Sequence, residues 1–310
     1  MNPPDNPRIL SILQEIRASV PELQNIADEL RARLSAIPGD NGARLGADFW
    51  HPTILRDAVI RIRLFSEQNF VVVETLGLLA MARYVFELVV WLKHIEKDSN
   101  FALLYARFLM KQQVEFYEDL AAHLEIEAAM YDRLGKEEET LHREVFSNPA
   151  NLEIENAGAF IAQATKSASQ AVDGQLTTNF AIYSDKCEVF GYSYVAHLVR
   201  SKALIAAQAN AQSCRETLDE LNGVWRTTID SLGVKKWVWE ERAKNIGMAN
   251  EYAFIYSYTS RMLHAHPHSL STEQKNLEPP EMLLFLKYVE MQFRWIRNMA
   301  IGFLGHTNLH

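Results

Sequence analysis

The chain is short of the residues that interrupt helices and of the residues that cross-link folds. Its 310 residues include ten prolines, thirteen glycines and two cysteines. Few turn-forming residues favour long helices, and no alternating apolar–polar run longer than a few residues indicates a strand. We therefore predict an all-α fold, a multi-helix bundle. Cys187 and Cys214 both fall in a strongly helical stretch, so we expect two reduced thiols and a cytoplasmic location.

An excess of positive charge is also missing. The balance of 31 basic and 39 acidic residues gives a net charge of −8, which argues against broad coating of nucleic acid or anionic membrane but leaves room for a local basic pocket. The first five residues lack the pattern of a signal peptide. The apolar run 70–92 carries Glu74, Arg83 and Glu87, which are costly in lipid, so we expect a buried core helix and no membrane partner.

The N-terminal 40 residues carry a heptad-like apolar seam, which requires a partner helix. Pro21 interrupts this seam, and we expect a second helix to begin near Ser19. One interpretation is a hairpin or kinked helix that packs on its own domain, and the other is an arm through which the chain forms a homo-oligomer. The seam residues are Ile9, Leu13, Ile16, Val20, Leu23, Ala27, Leu30, Leu34 and Ile37.

A proline- and glycine-containing segment at 38–42 is the predicted linker between this arm, 1–40, and a helical domain, 48–304. Within that domain the polar stretch 147–174 indicates short helices or a mobile insertion. Apolar periodicity predicts helices over 52–66, 68–97, 100–133, 136–146, 176–221 (two helices divided near Ser184), 234–246, 249–265 and 280–303.

The stretch 256–268 concentrates more chemistry than any other part of the chain. Arg261 and His266 are separated by four residues, and this arrangement resembles the motif of HEPN-superfamily ribonucleases. The resemblance implies metal-independent RNA cleavage without a cofactor by a bacterial defence or stress effector. Histidine would be general acid or base at a ribose 2′-hydroxyl, and arginine would stabilise the phosphate charge. The alternative is an arginine paired with a carboxylate and a histidine exposed at a helix end.

A second resemblance covers residues 48–304. The apolar stretch 76–92 contains Arg83-x-x-x-Glu87, and the C-terminal stretch contains Tyr256-x-Tyr258-x-Ser260-x-x-x-His264. These two motifs in this order resemble an uncharacterised bacterial helical family (domain of unknown function five-six-seven-seven). The resemblance implies an all-helical fold and no established activity, and it draws attention to His264 rather than His266.

The spacing of these residues has its own physical meaning. Tyr256, Ser260 and His264 are four residues apart and share one helix face, while Arg83 and Glu87 are placed to form a buried ion pair. If His264 packs against Glu87, these side chains line a polar pocket, which would also suit a small ligand. The alternatives are a stripe that only packs against another helix and a structural salt bridge.

Two further groups of residues offer weaker signals. His264, His266 and His268 lack a second ligand cluster, so we expect no metal site. Trp237 and Trp239 lie among lysines and an arginine, a composition that suits either base stacking or a solvated helix with aromatic anchors. The leading function is therefore a ribonuclease with RNA as its substrate, and the alternative is a non-enzymatic helical interaction protein.

Overall fold

The computed structural model describes residues 6–37, 46–70, 74–147, 180–263 and 276–306, together with short helical pieces between 158 and 170. Every regular element in these ranges is a helix, which confirms the all-α prediction. We label the helices α1 (Pro7–Ala18), α2 (Val20–Ala36), α3 (Ala47–Gln68), α4 (Thr75–Lys97), α5 (Phe101–Phe146), α6 (Ser184–Phe190), α7 (Tyr192–Leu198), α8 (Ile205–Ser231), α9 (Trp239–Asn245), α10 (Ala249–Glu251), α11 (Ser257–Leu263) and α12 (Pro279–His306). Two π-helical segments, Val199–Leu204 and Tyr252–Tyr256, precede α8 and α11.

The chain divides into two compact units. Unit 1 comprises residues 1–107 and 221–310, and unit 2 comprises residues 108–220. The N-terminal arm belongs to unit 1 together with α3, α4 and α12. Most of the polar stretch 147–174 lies outside the described residues.

Helix α4 forms the centre of unit 1 and packs against α12, α11 and the second π-helical segment. Apolar residues surround most of its circumference, as expected for a helix buried in a core. Asp98 ends it in extended conformation, and its carboxylate then accepts from the backbone N–H of Asn100 ahead of α5. By length and composition α4 is the one described helix that could cross a membrane, and 67% of its most apolar window is buried inside the protein.

The seam of the N-terminal arm packs within its own chain. Ile9, Ile16, Leu23 and Leu30 belong to the core of unit 1, and their helices contact α3 and α12. Helix α2 begins at Val20, where the pattern indicated a new helix. The seam that suited a partner chain is therefore covered by the protein's own helices.

Two arginines of the arm fix it to the rest of unit 1 through backbone carbonyls. Arg17 donates to the carbonyl of Phe70, and Arg33 donates to those of Phe303 and Leu304 in the last turn of α12. The last four carbonyls of a helix lack partners within it, so a guanidinium there satisfies groups that would otherwise need water.

Unit 2 corrects one predicted helix boundary. Helix α5 runs unbroken for 46 residues, whereas the sequence indicated two helices divided at 134–135. Gly135 lies where α5 passes close to α7, since an added Cβ would stand 2.6 Å from the Ser193 hydroxyl, so this glycine allows close packing and does not break the helix. A helix begins at Ser184, where the sequence indicated a division, and the chain turns at Gly191, whose φ is +78°.

Candidate functional site

The structure brings together residues of two distant sequence motifs in unit 1. Arg83 of α4 forms an ion pair with Glu87, with 3.1 Å between Nε and Oε1. The same guanidinium donates to the Tyr256 hydroxyl over 3.4 Å, and its Cζ lies 4.9 Å from the centroid of the Tyr256 ring. The ion pair expected from the four-residue spacing is therefore confirmed, and Tyr256 covers one side of its guanidinium.

The pair is more accessible than the sequence suggested. An apolar helix predicted a buried pair, but the side chains of Arg83 and Glu87 keep 25% and 30% of their exposure. They lie where α4 meets the C-terminal segment, at the edge of the unit 1 core. A charged pair at this depth keeps contact with water and remains available to a polar ligand.

A π-helical turn presents Tyr256 to α4. Segment Tyr252–Tyr256 has one wide turn, a feature that occurs often at functional sites. The rings of Tyr252 and Tyr256 stack at 5.0 Å, and both contact Phe86, while Tyr256 also lies 6.2 Å from Trp239. Burial raises the pKa of the Tyr256 phenol, while nearby Arg83 lowers it and Glu87 raises it. The phenol therefore stays protonated near neutral pH.

The next polar side chains along this helix differ in their surroundings. The Ser260 hydroxyl, one turn beyond Tyr256, is buried and has no hydrogen-bond partner among the described residues. Arg261 is exposed and makes no hydrogen bond or ion pair with another described residue. His264 and His266 lie outside the described residues, and so does His268. Of the predicted site residues, the structure joins Arg83, Glu87 and Tyr256, and it leaves Arg261 facing solvent.

Trp237 and Trp239 lie among lysines and an arginine in the sequence, but their surroundings in the structure do not suit base stacking. Trp237 stacks on Trp91 at 3.4 Å between centroids and 10° between planes, and it contacts Trp239 edge-on. Arg242, which is buried, lies over the Trp237 ring, and its backbone carbonyl accepts a hydrogen bond from His94. Trp237 is therefore an aromatic anchor that fixes the segment before α9 on α4.

Unit 2 contains a buried polar cluster that sequence reasoning missed. Glu127 of α5 is 2% exposed, and its Oε1 accepts from the Tyr131 hydroxyl over 2.5 Å and from the Tyr183 backbone N–H over 2.8 Å. His123 lies 3.6 Å from its other oxygen and donates to the Phe180 carbonyl. The four-residue spacing of His123, Glu127 and Tyr131 was the available signal, because it places all three on one helix face.

The described residues contain no group of three or more histidine, cysteine, aspartate or glutamate side chains placed to hold a metal ion. Cys187 and Cys214 do not form a disulfide.

Comparison with known proteins yields no relative: no protein-family model, no curated protein and no solved structure matches the chain. The two resemblances carried by Arg83, Glu87, Ser260 and the C-terminal arginine–histidine spacing therefore stay predictions.

Proposed function

We propose that this protein is a metal-independent endoribonuclease of the HEPN type, whose reactive groups are Arg261 of α11 and the histidines that follow it in the sequence. The observation that supports this best is the state of Arg261. Its side chain is exposed and unpaired among the described residues, and in the sequence it precedes His264 by three residues and His266 by five. The alternative role for Arg261, as the partner of a carboxylate, therefore gains no support among the described residues. A free guanidinium is well suited to bind the charged oxygens of a phosphate.

The proposed chemistry assigns the proton transfers to histidine. His264 or His266 removes the proton of a ribose 2′-hydroxyl, and the 2′-oxygen attacks the adjacent phosphorus. The bond from phosphorus to the 5′-oxygen breaks, and that oxygen takes a proton from the other of these two histidines, in its protonated form. Arg261 stabilises the negative charge that builds on the phosphoryl oxygens. The products are a 2′,3′-cyclic phosphate and a 5′-hydroxyl, and no metal takes part.

The Arg83–Glu87–Tyr256 group has a positioning and binding role in this proposal. Arg83 of α4, paired with Glu87, contacts Tyr256, and Ser260 follows Tyr256 by four residues on the same helix face. A guanidinium held by both a carboxylate and an aromatic ring has little freedom to move.

Cleavage of a fluorescently labelled single-stranded RNA in the presence of EDTA tests the proposal. We expect the wild-type protein to release fragments ending in cyclic phosphate, and Arg261→Ala and His266→Ala to lower the rate by about 100-fold or more. Arg226→Ala is the matched control, because Arg226 is also exposed and has no described partner. Intact RNA in every wild-type reaction, across varied sequences, would overturn the proposal.

The alternative, a non-enzymatic interaction protein, is favoured by one observation in unit 2. Phe180, Ile182, Val189, Phe190 and Tyr194 are all large, apolar and more than half exposed within 15 residues of chain. Concentrated exposed apolar surface is typical of protein interfaces. In this case we expect sedimentation to show a homo-oligomer that Val189→Asp combined with Phe190→Asp dissociates, with no RNA cleavage. A monomer at all concentrations would exclude this candidate.

A further inference from the structure

The C-terminal helical segment has two different faces. Tyr252 and Tyr256 turn toward α4, where their rings contact Phe86. Phe254, Tyr258 and Arg261 follow one another at spacings of four and three residues, so they occupy neighbouring positions on a second face. The rings of Phe254 and Tyr258 contact each other, with 5.8 Å between their centroids, so these two residues are neighbours on this face.

Phe254 is held firmly although it is exposed. Its ring lies 29° from the plane of Tyr258 and 16° from the plane of Phe285, and the rings of Tyr258 and Phe285 also contact each other at 5.4 Å. Tyr258 in turn donates to Glu281 over 3.4 Å, and the other oxygen of that carboxylate accepts from the backbone N–H of Glu278. Tyr258, which supports the Phe254 ring, is therefore itself held by Phe285 and by the Glu281 carboxylate.

The exposed part of Phe254 is large. The residue keeps 48% of its exposure, although Tyr258 and Phe285 cover part of its ring. A rigid aromatic ring with an accessible surface loses little conformational entropy when a second flat ring packs on it. Every nucleobase has a planar π-face that can pack on such a ring, so the ring does not discriminate strongly among bases.

We infer that Phe254 is a stacking platform for an unpaired nucleobase, and that the substrate class is therefore single-stranded RNA. The inference rests on the proposed ribonuclease function, since it needs the phosphate at Arg261. Phe254 and Arg261 are seven positions apart, which on a helix is a rise of roughly 10 Å, or on the order of one to three nucleotides of a strand. A base flanking the bound phosphate can thus reach the ring, whereas a paired base in an A-form duplex cannot stack on a side chain.

Binding of a 2′-O-methyl oligonucleotide, which has no 2′-hydroxyl to react, tests the inference by fluorescence anisotropy on the full chain. We expect Phe254→Ala and Phe254→Leu to raise Kd by roughly 5-fold to 150-fold, because the loss of one base-stacking contact has that effect. Phe254→Trp should keep or improve affinity. Phe116→Ala is the matched control, since Phe116 is also an exposed phenylalanine, in unit 2. Thermal unfolding of each variant checks that it folds.

A set of oligonucleotides, each with one abasic position, then identifies the stacked base. We expect one abasic oligonucleotide to bind the wild-type protein as weakly as the intact oligonucleotide binds the Phe254→Ala variant. The Phe254→Ala variant should bind this abasic oligonucleotide no more weakly than it binds the intact one. If Arg261→Ala weakens binding but Phe254→Ala matches Phe116→Ala, the stacking platform is refuted and the ribonuclease proposal stands. If the wild-type protein binds no RNA, both are refuted. Tighter binding to duplex than to single strands would also overturn the inference.

Discussion

The Arg83 guanidinium and the Tyr256 ring meet across 173 residues of sequence, with Cζ 4.9 Å from the ring centroid and a hydrogen bond to the phenol oxygen. This contact joins the central helix of unit 1 to the segment that leads into the predicted catalytic residues. Glu87, on the same helix as Arg83, holds the guanidinium in place. Arg83 in turn fixes the position of Tyr256. The contact therefore brings residues of the two sequence motifs together in unit 1.

Substitution of Tyr256 separates the roles of its ring and its hydroxyl. Tyr256→Phe keeps the ring stack and the cation–π contact, so we expect a loss in unfolding free energy below about 0.5 kcal/mol. Tyr256→Ala removes contacts with Tyr252, Phe86 and Arg83, and we expect a loss of about 2 kcal/mol. Urea denaturation followed by circular dichroism measures both. Equal losses in the two variants would show that the hydroxyl, and not the ring, makes the contact important.

Trp237 should contribute to stability rather than to nucleic-acid binding. Its stack on Trp91 and its contacts with Trp239 and Arg242 predict that Trp237→Ala lowers the free energy of unfolding by about 3–5 kcal/mol. Lys235→Ala is the control within the same segment, and an exposed lysine should change stability by less than about 0.5 kcal/mol. A large loss of RNA affinity in a stably folded Trp237→Ala protein would contradict this assignment.

His94 should make stability depend on pH in the mildly acidic range. Burial lowers its pKa; its hydrogen bond to the Arg242 carbonyl opposes this effect, and the charges of Arg242 and Lys97 lower the pKa further. The unfolded chain, with an ordinary histidine pKa near 6.5, then binds more protons than the folded chain. Stability is therefore full above that value and falls as the pH drops through it toward the lower folded pKa.

His94→Gln tests this pH dependence, because glutamine retains an N–H donor for the Arg242 carbonyl but does not titrate. We expect a smaller decrease in melting temperature between pH 7.5 and about pH 5 than in the wild-type protein. Some decrease should remain, since burial also lowers the pKa of His51. An unchanged slope would show that His94 does not couple folding to protonation.

A side chain at Gly135 should be destabilising while Ser193 faces it. A Cβ at this position would stand 2.6 Å from the Ser193 hydroxyl and 3.3 Å from its backbone nitrogen, so Gly135→Ala requires the Ser193 side chain or the helices α5 and α7 to shift. We expect a net loss of about 1–2 kcal/mol, after allowing for the higher helix propensity of alanine. Adding Ser193→Ala removes the closest atom and should restore part of the loss. A stabilised Gly135→Ala protein would show that the two helices separate readily.

Glu127 should be required as a hydrogen-bond acceptor. Glu127→Leu leaves the Tyr131 hydroxyl and the Tyr183 backbone N–H without their acceptor, and we expect a loss of about 2–4 kcal/mol. Glu127→Gln keeps one side-chain oxygen and should lose about 1 kcal/mol. Urea denaturation of the two variants distinguishes them. If Glu127→Leu is as stable as Glu127→Gln, the burial of apolar surface outweighs these hydrogen bonds.

The helical nature of the chain was predictable, and so were several of its contacts at short range. The ion pair of Arg83 and Glu87 follows from a spacing of four residues on a helix, and so does the shared face of Tyr256 and Ser260. Helix ends were less predictable. The sequence predicted separate helices over 100–133 and 136–146, yet Gly135 lies inside the unbroken α5, because a glycine that interrupts a helix and one that lets a neighbouring helix approach have the same local sequence.

The sequence by itself determined the class of fold and the pairs of side chains that share a helix face, because the periodicity of a helix is a local property. Only the tertiary structure decided that the N-terminal seam packs on its own chain, that Trp237 stacks on Trp91, and that Tyr256 covers Arg83. A helix carries no information about which apolar surface will cover it. That choice is made by the packing of the whole unit, in which residues far apart in the chain compete for the same partners.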